Sequence, residues 1–199
     1  RQALDDCVAA VRALHREGFA GGDLILTGDS AGAALAIATM VRLRDERAPL
    51  PRAAVLLSPW PDLECAGETI DGNAAYDYLS GPVMRFFAGL YLQGADPRAA
   101  MVSPVHADLH GLPPVLIHAG GAELLLADIR NLATCLEEAG VEVTLEVWEG
   151  MIHAWHGFTL FLPEARSAVR AVGEYVRSTH AVEQPASQHA PLLPSCDAP

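Results

Sequence analysis

Basic residues are scarce in this chain of 199 residues. Thirteen Lys and Arg stand against 25 Asp and Glu, a formal charge of −12. No basic cluster interrupts that balance, which argues against nucleic acid and anionic membranes as partners. No apolar run approaches the ~20 residues of a membrane span, and no signal-peptide pattern opens the chain. It starts at Arg1 rather than Met, which leaves two readings, a processed terminus or a piece of something longer. Cysteine is also sparse. Cys7, Cys65, Cys135 and Cys196 form no Cys-x-x-Cys pair and have no histidine at zinc spacing. Reduced thiols and a cytoplasmic setting are therefore expected, with Cys7 and Cys135 as small core residues of helices. What is plentiful is apolar side chain, 51% of the sequence against 19% charged. That suffices for one globular domain with a sizeable core.

The rest is organised around residues 24–33, Leu-Ile-Leu-Thr-Gly-Asp-Ser-Ala-Gly-Ala. A short apolar run ends in Gly-x-Ser-x-Gly, and an Ala-rich helical pattern follows. Strand, tight turn and helix with Ser30 at the apex make a nucleophile elbow. Ser30 is expected in a strained conformation, with Gly28 and Gly32 beside it because strand and helix approach too closely for a Cβ. The helix N-terminus behind Ser30 offers free N–H groups, that of Ala31 among them, to a developing oxyanion. The competing reading is a Gly-rich turn with an ordinary capping serine.

Along the chain, residues 2–16 read as a helix with Leu4, Val8, Val11 and Leu14 or His15 on one face. Residues 23–27 are the strand before the elbow, and 31–47 the helix after it, stopped by Ala48-Pro49. Residues 53–58 are a second strand without alternation, as expected where both faces are covered. Residues 64–80 look irregular and polar. Ser80-Gly81-Pro82 opens a helix over 83–92, and 94–111 is a long connection. Residues 113–118 form a third buried strand, 127–139 a helix capped by Gly140, and 141–148 an alternating strand suited to a sheet edge. Residues 163–179 are the last helix. A single domain spans 1–180, and 181–199, rich in Pro, Ala and Ser without periodicity, reads as a disordered tail. Four strands alternating with helices predict an α/β fold, a mostly parallel sheet with helices on both faces. Function in such sheets gathers at the carboxyl ends of strands.

Those ends carry Ser30, then Trp60 and Asp62, then Glu123 and Asp128, then His153. A serine hydroxyl needs a base, usually an imidazole, and the imidazole needs an orienting carboxylate. The order serine, acid, histidine is the one expected with this elbow. His153 and His156, in the loop after the fourth strand, are the base candidates. His15 and His110 read as surface residues, His118 as a packed core histidine, and His180 and His189 fall in or near the tail. Glu123 follows Gly120-Gly121-Ala122 at a strand end. Asp128 lies five residues on, where helix capping is its plain role. Asp29 and Trp60 are expected at the substrate pocket.

Gly28-Asp29-Ser30-Ala31-Gly32, Ser58-Pro59-Trp60-Pro61-Asp62-Leu63, the segment from Tyr91-Leu92 to Ser103-Pro104, and Gly150-Met151-Ile152-His153 together resemble the hormone-sensitive-lipase-type esterases of the α/β-hydrolase superfamily. The resemblance runs over about 2–179. It implies Ser30 as nucleophile, His153 as base and Glu123 as acid, 30 residues before the histidine. The family usually has Asp there, so Asp128 stays open as the alternative acid. It also implies hydrolysis of a small ester without metal or cofactor. The chain departs from the pattern upstream. The family's His-Gly-Gly-Gly motif, its cap and its first strands have no counterpart among the 29 residues before Ser30, so a C-terminal piece that self-associates is expected. The competing classes are a non-catalytic ligand-binding relative and an inactive fragment. A phosphate loop at 28–33 lacks the P-loop lysine.

Overall fold

The computed structural model describes residues 2–181. Its centre is a parallel sheet of β1 (Ile25–Asp29), β2 (Ala53–Leu57), β3 (Val115–Gly120) and β4 (Val143–Trp148), in the spatial order β1-β2-β3-β4. Leu26 pairs with Ala54, Val55 with Leu116, and Ile117 with Leu145. The interior strands β2 and β3 are buried almost throughout. Their unbroken apolar runs are what a sheet covered on both faces requires.

The helices are α1 (Gln2–Arg16), α2 (Ala31–Asp45), the four-residue α3 (Thr69–Gly72), α4 (Gly81–Leu92), α5 (Leu126–Glu138) and α6 (Pro163–Ala181). Ala54, Leu56, Val115 and Ile117 share one cluster with Ile37 and Met40 of α2 and Ile129 and Leu132 of α5. Successive strand residues alternate in direction, so His118 points to the opposite face. There its ring stacks on Trp155, which packs against Ala165 and Ala168 of α6. Leu4, Val8 and Val11 seat α1 on Ala38 and Leu43 of α2. Leu14 is left exposed, while His15 is half-buried and its Nδ1 lies 2.9 Å from the Phe19 carbonyl oxygen.

Several boundaries differ from expectation for local reasons. Residues 21–23 form a 3-10 turn in which Asp23 accepts the Ala20 N–H, so β1 starts two residues late. Pro113 and Pro114 have no N–H to donate, and β3 instead runs on to Gly120, paired with Trp148. Gly140 sits at φ +75° and the Val141 N–H returns to the Leu136 carbonyl, so Val141 closes α5 into the core and β4 begins at Val143. Alternation along β4 is weaker than expected, because Glu146 is drawn in by the Trp148 indole N–H and the His118 ring. The segment 64–80 is not featureless, since it contains α3. Ala181 still belongs to α6, and the rest of the expected tail, 182–199, lies outside the described residues.

Because every pairing is parallel, the carboxyl ends of all four strands open on one side. Among the described residues no helix is long and apolar enough to cross a membrane.

Candidate active site

Ser30 stands between β1 and α2 at φ 55°, ψ −119°, a backbone region that costs a non-glycine residue energy and that surrounding structure must enforce. Its N–H donates to the Leu57 carbonyl at 2.9 Å, and its own carbonyl accepts the Trp60 N–H at 3.0 Å. Gly28 is sterically obligatory, because a Cβ there would lie 2.3 Å from the Gly32 backbone. Gly32 is not crowded in the same way, and a Cβ on it meets open space. The expected close approach therefore falls on one glycine of the pair.

The Ser30 Oγ lies 3.0 Å from His153 Nε2, and His153 Nδ1 lies 3.0 Å from Glu123 Oε2. His153 and Glu123 are almost wholly buried. Glu123 Oε1 accepts the Gly120 N–H at 2.8 Å. Burial pushes the Glu123 carboxyl upward, opposed by its bonds to His153, to the Gly120 N–H and to the Ser58 hydroxyl. The acid turn and the base loop are laced together directly. Gly121 N–H donates to Trp148, and Ala122 N–H to Met151. Gly120 must be glycine, since a Cβ would come within 2.3 Å of the Met151 oxygen.

Asp128 lies elsewhere. It sits on the first turn of α5 with one oxygen against Gly67, the other buried without a hydrogen-bond partner. It makes no helix cap. Burial and the nearby Asp62 raise its carboxyl to about 6. His156 is also off the line. Its Nε2 is 3.1 Å from His118 Nδ1, and burial with the His118 and His153 charges lowers it to about 3. His118 is the packed core histidine anticipated, its Nε2 3.2 Å from Glu146 but not aligned for a hydrogen bond.

A cavity of about 360 Å³ opens beside the elbow, walled by Ala31, Ala34, Trp60, Leu63, Phe87 and other apolar side chains. Trp60 is thus where a pocket residue was expected. Asp29, also expected there, is exposed and does not line this cavity. Partial desolvation raises its carboxyl, and the His153 charge opposes that. Asp62, Glu64 and His106 bring one ligand atom each within 4.8 Å of one another. These groups are already engaged, Asp62 with the Glu64 N–H and Glu64 with Arg98.

Two contributors escaped sequence reading. Ser58, fully buried at the end of β2, accepts the Ala154 N–H and hydrogen-bonds Glu123. Asp77 accepts backbone N–H groups from Leu124 and His153. Ser58 had a legible signal, a polar residue closing an apolar strand. Asp77 had none.

A hydroxyl, an imidazole and a buried carboxylate thus stand in one line, at a strained strand–helix turn on the carboxyl edge of a parallel sheet, an arrangement similar to that of serine-type hydrolases. The chain belongs to the family with the alpha/beta hydrolase fold, whose model matches residues 1–157. It is 45% identical over 177 residues to an acetyl-hydrolase of Streptomyces hygroscopicus, covering 88% of this chain and 59% of that protein. It is 34% identical over 183 residues to an esterase of Acinetobacter venetianus, covering 89% and 59%. A crystal structure of an esterase from the bacterial hormone-sensitive lipase family superposes with a TM-score of 0.87 at 44% identity, covering 88% of this chain and 60% of that one. The chain thus spans about three-fifths of the length of the relatives it matches.

Proposed function

We propose that the chain carries the reacting groups of a serine carboxylester hydrolase for small or short-chain acyl esters or lactones. Ser30 Oγ attacks the acyl carbon while His153 Nε2 takes its proton. Glu123 accepts the Nδ1–H, which fixes the tautomer and offsets the imidazolium charge. The Ala31 N–H, at the start of α2, faces the oxyanion of the tetrahedral intermediate. Collapse expels the alcohol, which takes the proton from His153 Nε2, and leaves an acyl-serine. Water, deprotonated by His153, then attacks the acyl carbon. Collapse returns that proton to Ser30 and releases the carboxylic acid. The scheme uses no metal or cofactor, and its partner is the small ester alone.

The observation that carries this reading is the continuous line of Ser30 Oγ, His153 and Glu123, with 3.0 Å at each step. The apolar cavity beside Ala31 and Trp60 supports a small acyl or alcohol group as its occupant. The names of the relatives point the same way. We also propose that residues 1–180 form the C-terminal part of the hydrolase domain. The remaining oxyanion donors and the cap then belong to the portion of the relatives that this chain does not match.

A fluorophosphonate probe tests the assignment. The wild-type chain should be labelled at Ser30, and Ser30→Ala should lose both labelling and ester turnover. Labelling at another serine, unchanged in Ser30→Ala, would refute it.

A further inference from the structure

The segment between β2 and α4 carries Thr69, Asn73 and Asp77 at four-residue intervals, and all three reach the acid turn. Thr69 Oγ1 donates to the Leu124 carbonyl at 2.8 Å and accepts the Ala127 N–H at 2.9 Å. Asn73 Nδ2 donates to the carbonyl of Glu123 itself at 2.9 Å. Asp77 goes further. Its Oδ2 accepts the Leu124 N–H at 3.1 Å and the His153 N–H at 3.3 Å. One carboxylate oxygen therefore joins the residue after the acid to the backbone of the base. The Tyr78 ring beside it lies 6.2 Å from the His153 ring.

Glu123 and His153 hang on separate loops from β3 and β4; the Gly121 and Ala122 N–H groups tie these loops at Trp148 and Met151, whereas Asp77 holds the backbone N–H of His153 itself. We propose that Asp77 is a positioning residue of this site. It holds the acid turn and the base loop at one separation, so that His153 bridges Ser30 and Glu123, while Thr69 and Asn73 brace the acid turn from behind. The inference rests on the hydrolase reading above for its consequence, and on these bonds for its geometry. The misplacement of a catalytic group by ~1 Å costs ~100-fold, which sets the scale of the effect.

The test compares Asp77→Ala with Asp77→Asn in the chain as it stands. An Asn Oδ1 still accepts both N–H groups, whereas Ala leaves them to water. Three readouts are taken: the rate of fluorophosphonate labelling at Ser30, the downfield proton resonance of the His153–Glu123 bond, and the exchange of the Leu124 and His153 amides. Asp77→Ala should slow labelling ~10–100-fold, weaken the resonance and free those two amides. Asp77→Asn should recover most of the rate and both protections. Should Asp77→Ala fail to fold, Asp77→Glu decides, since it keeps the charge, moves the acceptor by one methylene and must free the same two amides. Wild-type labelling rates and unchanged amides in these variants would overturn the proposal and leave the hydrolase reading intact. Absence of Ser30 labelling in the wild type, with the amide pattern as expected, would sink the hydrolase reading and leave the brace standing.

Discussion

Glu123 and Asp128 lie five residues apart, both buried, and differ in what meets their oxygens. Glu123 has an imidazole, a backbone N–H and a hydroxyl. Asp128 has an unpartnered oxygen and the charge of Asp62. A buried carboxylate with partners can be kept ionised for work, whereas one without them costs stability when it ionises. Glu123→Gln should therefore lower kcat by up to ~10⁴-fold, the scale seen when an orienting acid is lost. Asp128→Asn should leave kcat within a few-fold, and steady-state kinetics on a nitrophenyl ester compares the two. The same pair separates in stability. The Asp128 carboxyl is raised in the folded state from 3.8 to about 6. Its contribution is fully present below pH 3.8 and is lost as pH rises toward 6. Asp128→Asn should thus match wild type in urea melts at pH 3.5 and exceed it at pH 8 by on the order of 2 kcal/mol. Equal midpoints at pH 8 would count against a buried, unpaired Asp128.

The elements differ in how much of them could be read in advance. Ser30, its strand and its helix were legible because turn chemistry and apolar patterning are local. The order of acid and histidine was legible because parallel strands deliver successive loops to one edge. Val141 and Glu146 were misread because a helix cap and a buried histidine, both contacts across elements, override alternation. Thr69, Asn73 and Asp77 left no trace, since their partners lie 47 to 76 residues away. The base loop shows the same non-local character. Its His156 stacks on His118 at 5.3 Å, with Glu146 on the far side and His153 adjacent. Burial and the His118 charge depress His156 from 6.5 to about 3. A group that folds neutral contributes stability above its unfolded pKa of 6.5, and loses it as pH falls toward 3. The chain should therefore destabilise steadily on acidification below pH 6.5. Glu146, which favours a charged His118, offsets part of this. In His156→Gln the difference in unfolding free energy between pH 7 and pH 4, read from urea melts, should shrink by on the order of 2 kcal/mol. An unchanged difference would mean that this pair is not what titrates.

At the scale of the molecule, the decisive feature is the free edge of β1. Among the described residues β1 pairs only with β2, and its Ile25 and Leu26 are half-buried rather than covered. An apolar edge strand with unpaired N–H and C=O groups is a template for pairing with another chain. The exposed Phe86, Phe87, Leu90 and Tyr91 of α4 add a second apolar surface of the kind that marks an interaction site or an aggregation liability. The 199-residue chain should therefore self-associate in solution, and sedimentation over a concentration series reads this directly. The proposed catalysis should be slow in this chain as well. In the proposed reaction the Ala31 N–H is the one oxyanion donor assigned; each donor lost costs ~10²–10³-fold, and a pocket open to water weakens every charge interaction inside it. Fusing the chain to the segment that its relatives carry beyond the match should make it monomeric, and should raise kcat/KM on a short-chain nitrophenyl ester by at least ~100-fold. The two effects are coupled by geometry, because a strand laid on β1 lies immediately beside Ser30. A chain that is monomeric alone, and as fast as the fused protein, would show that β1 is a natural edge and that Ala31 suffices as the oxyanion donor.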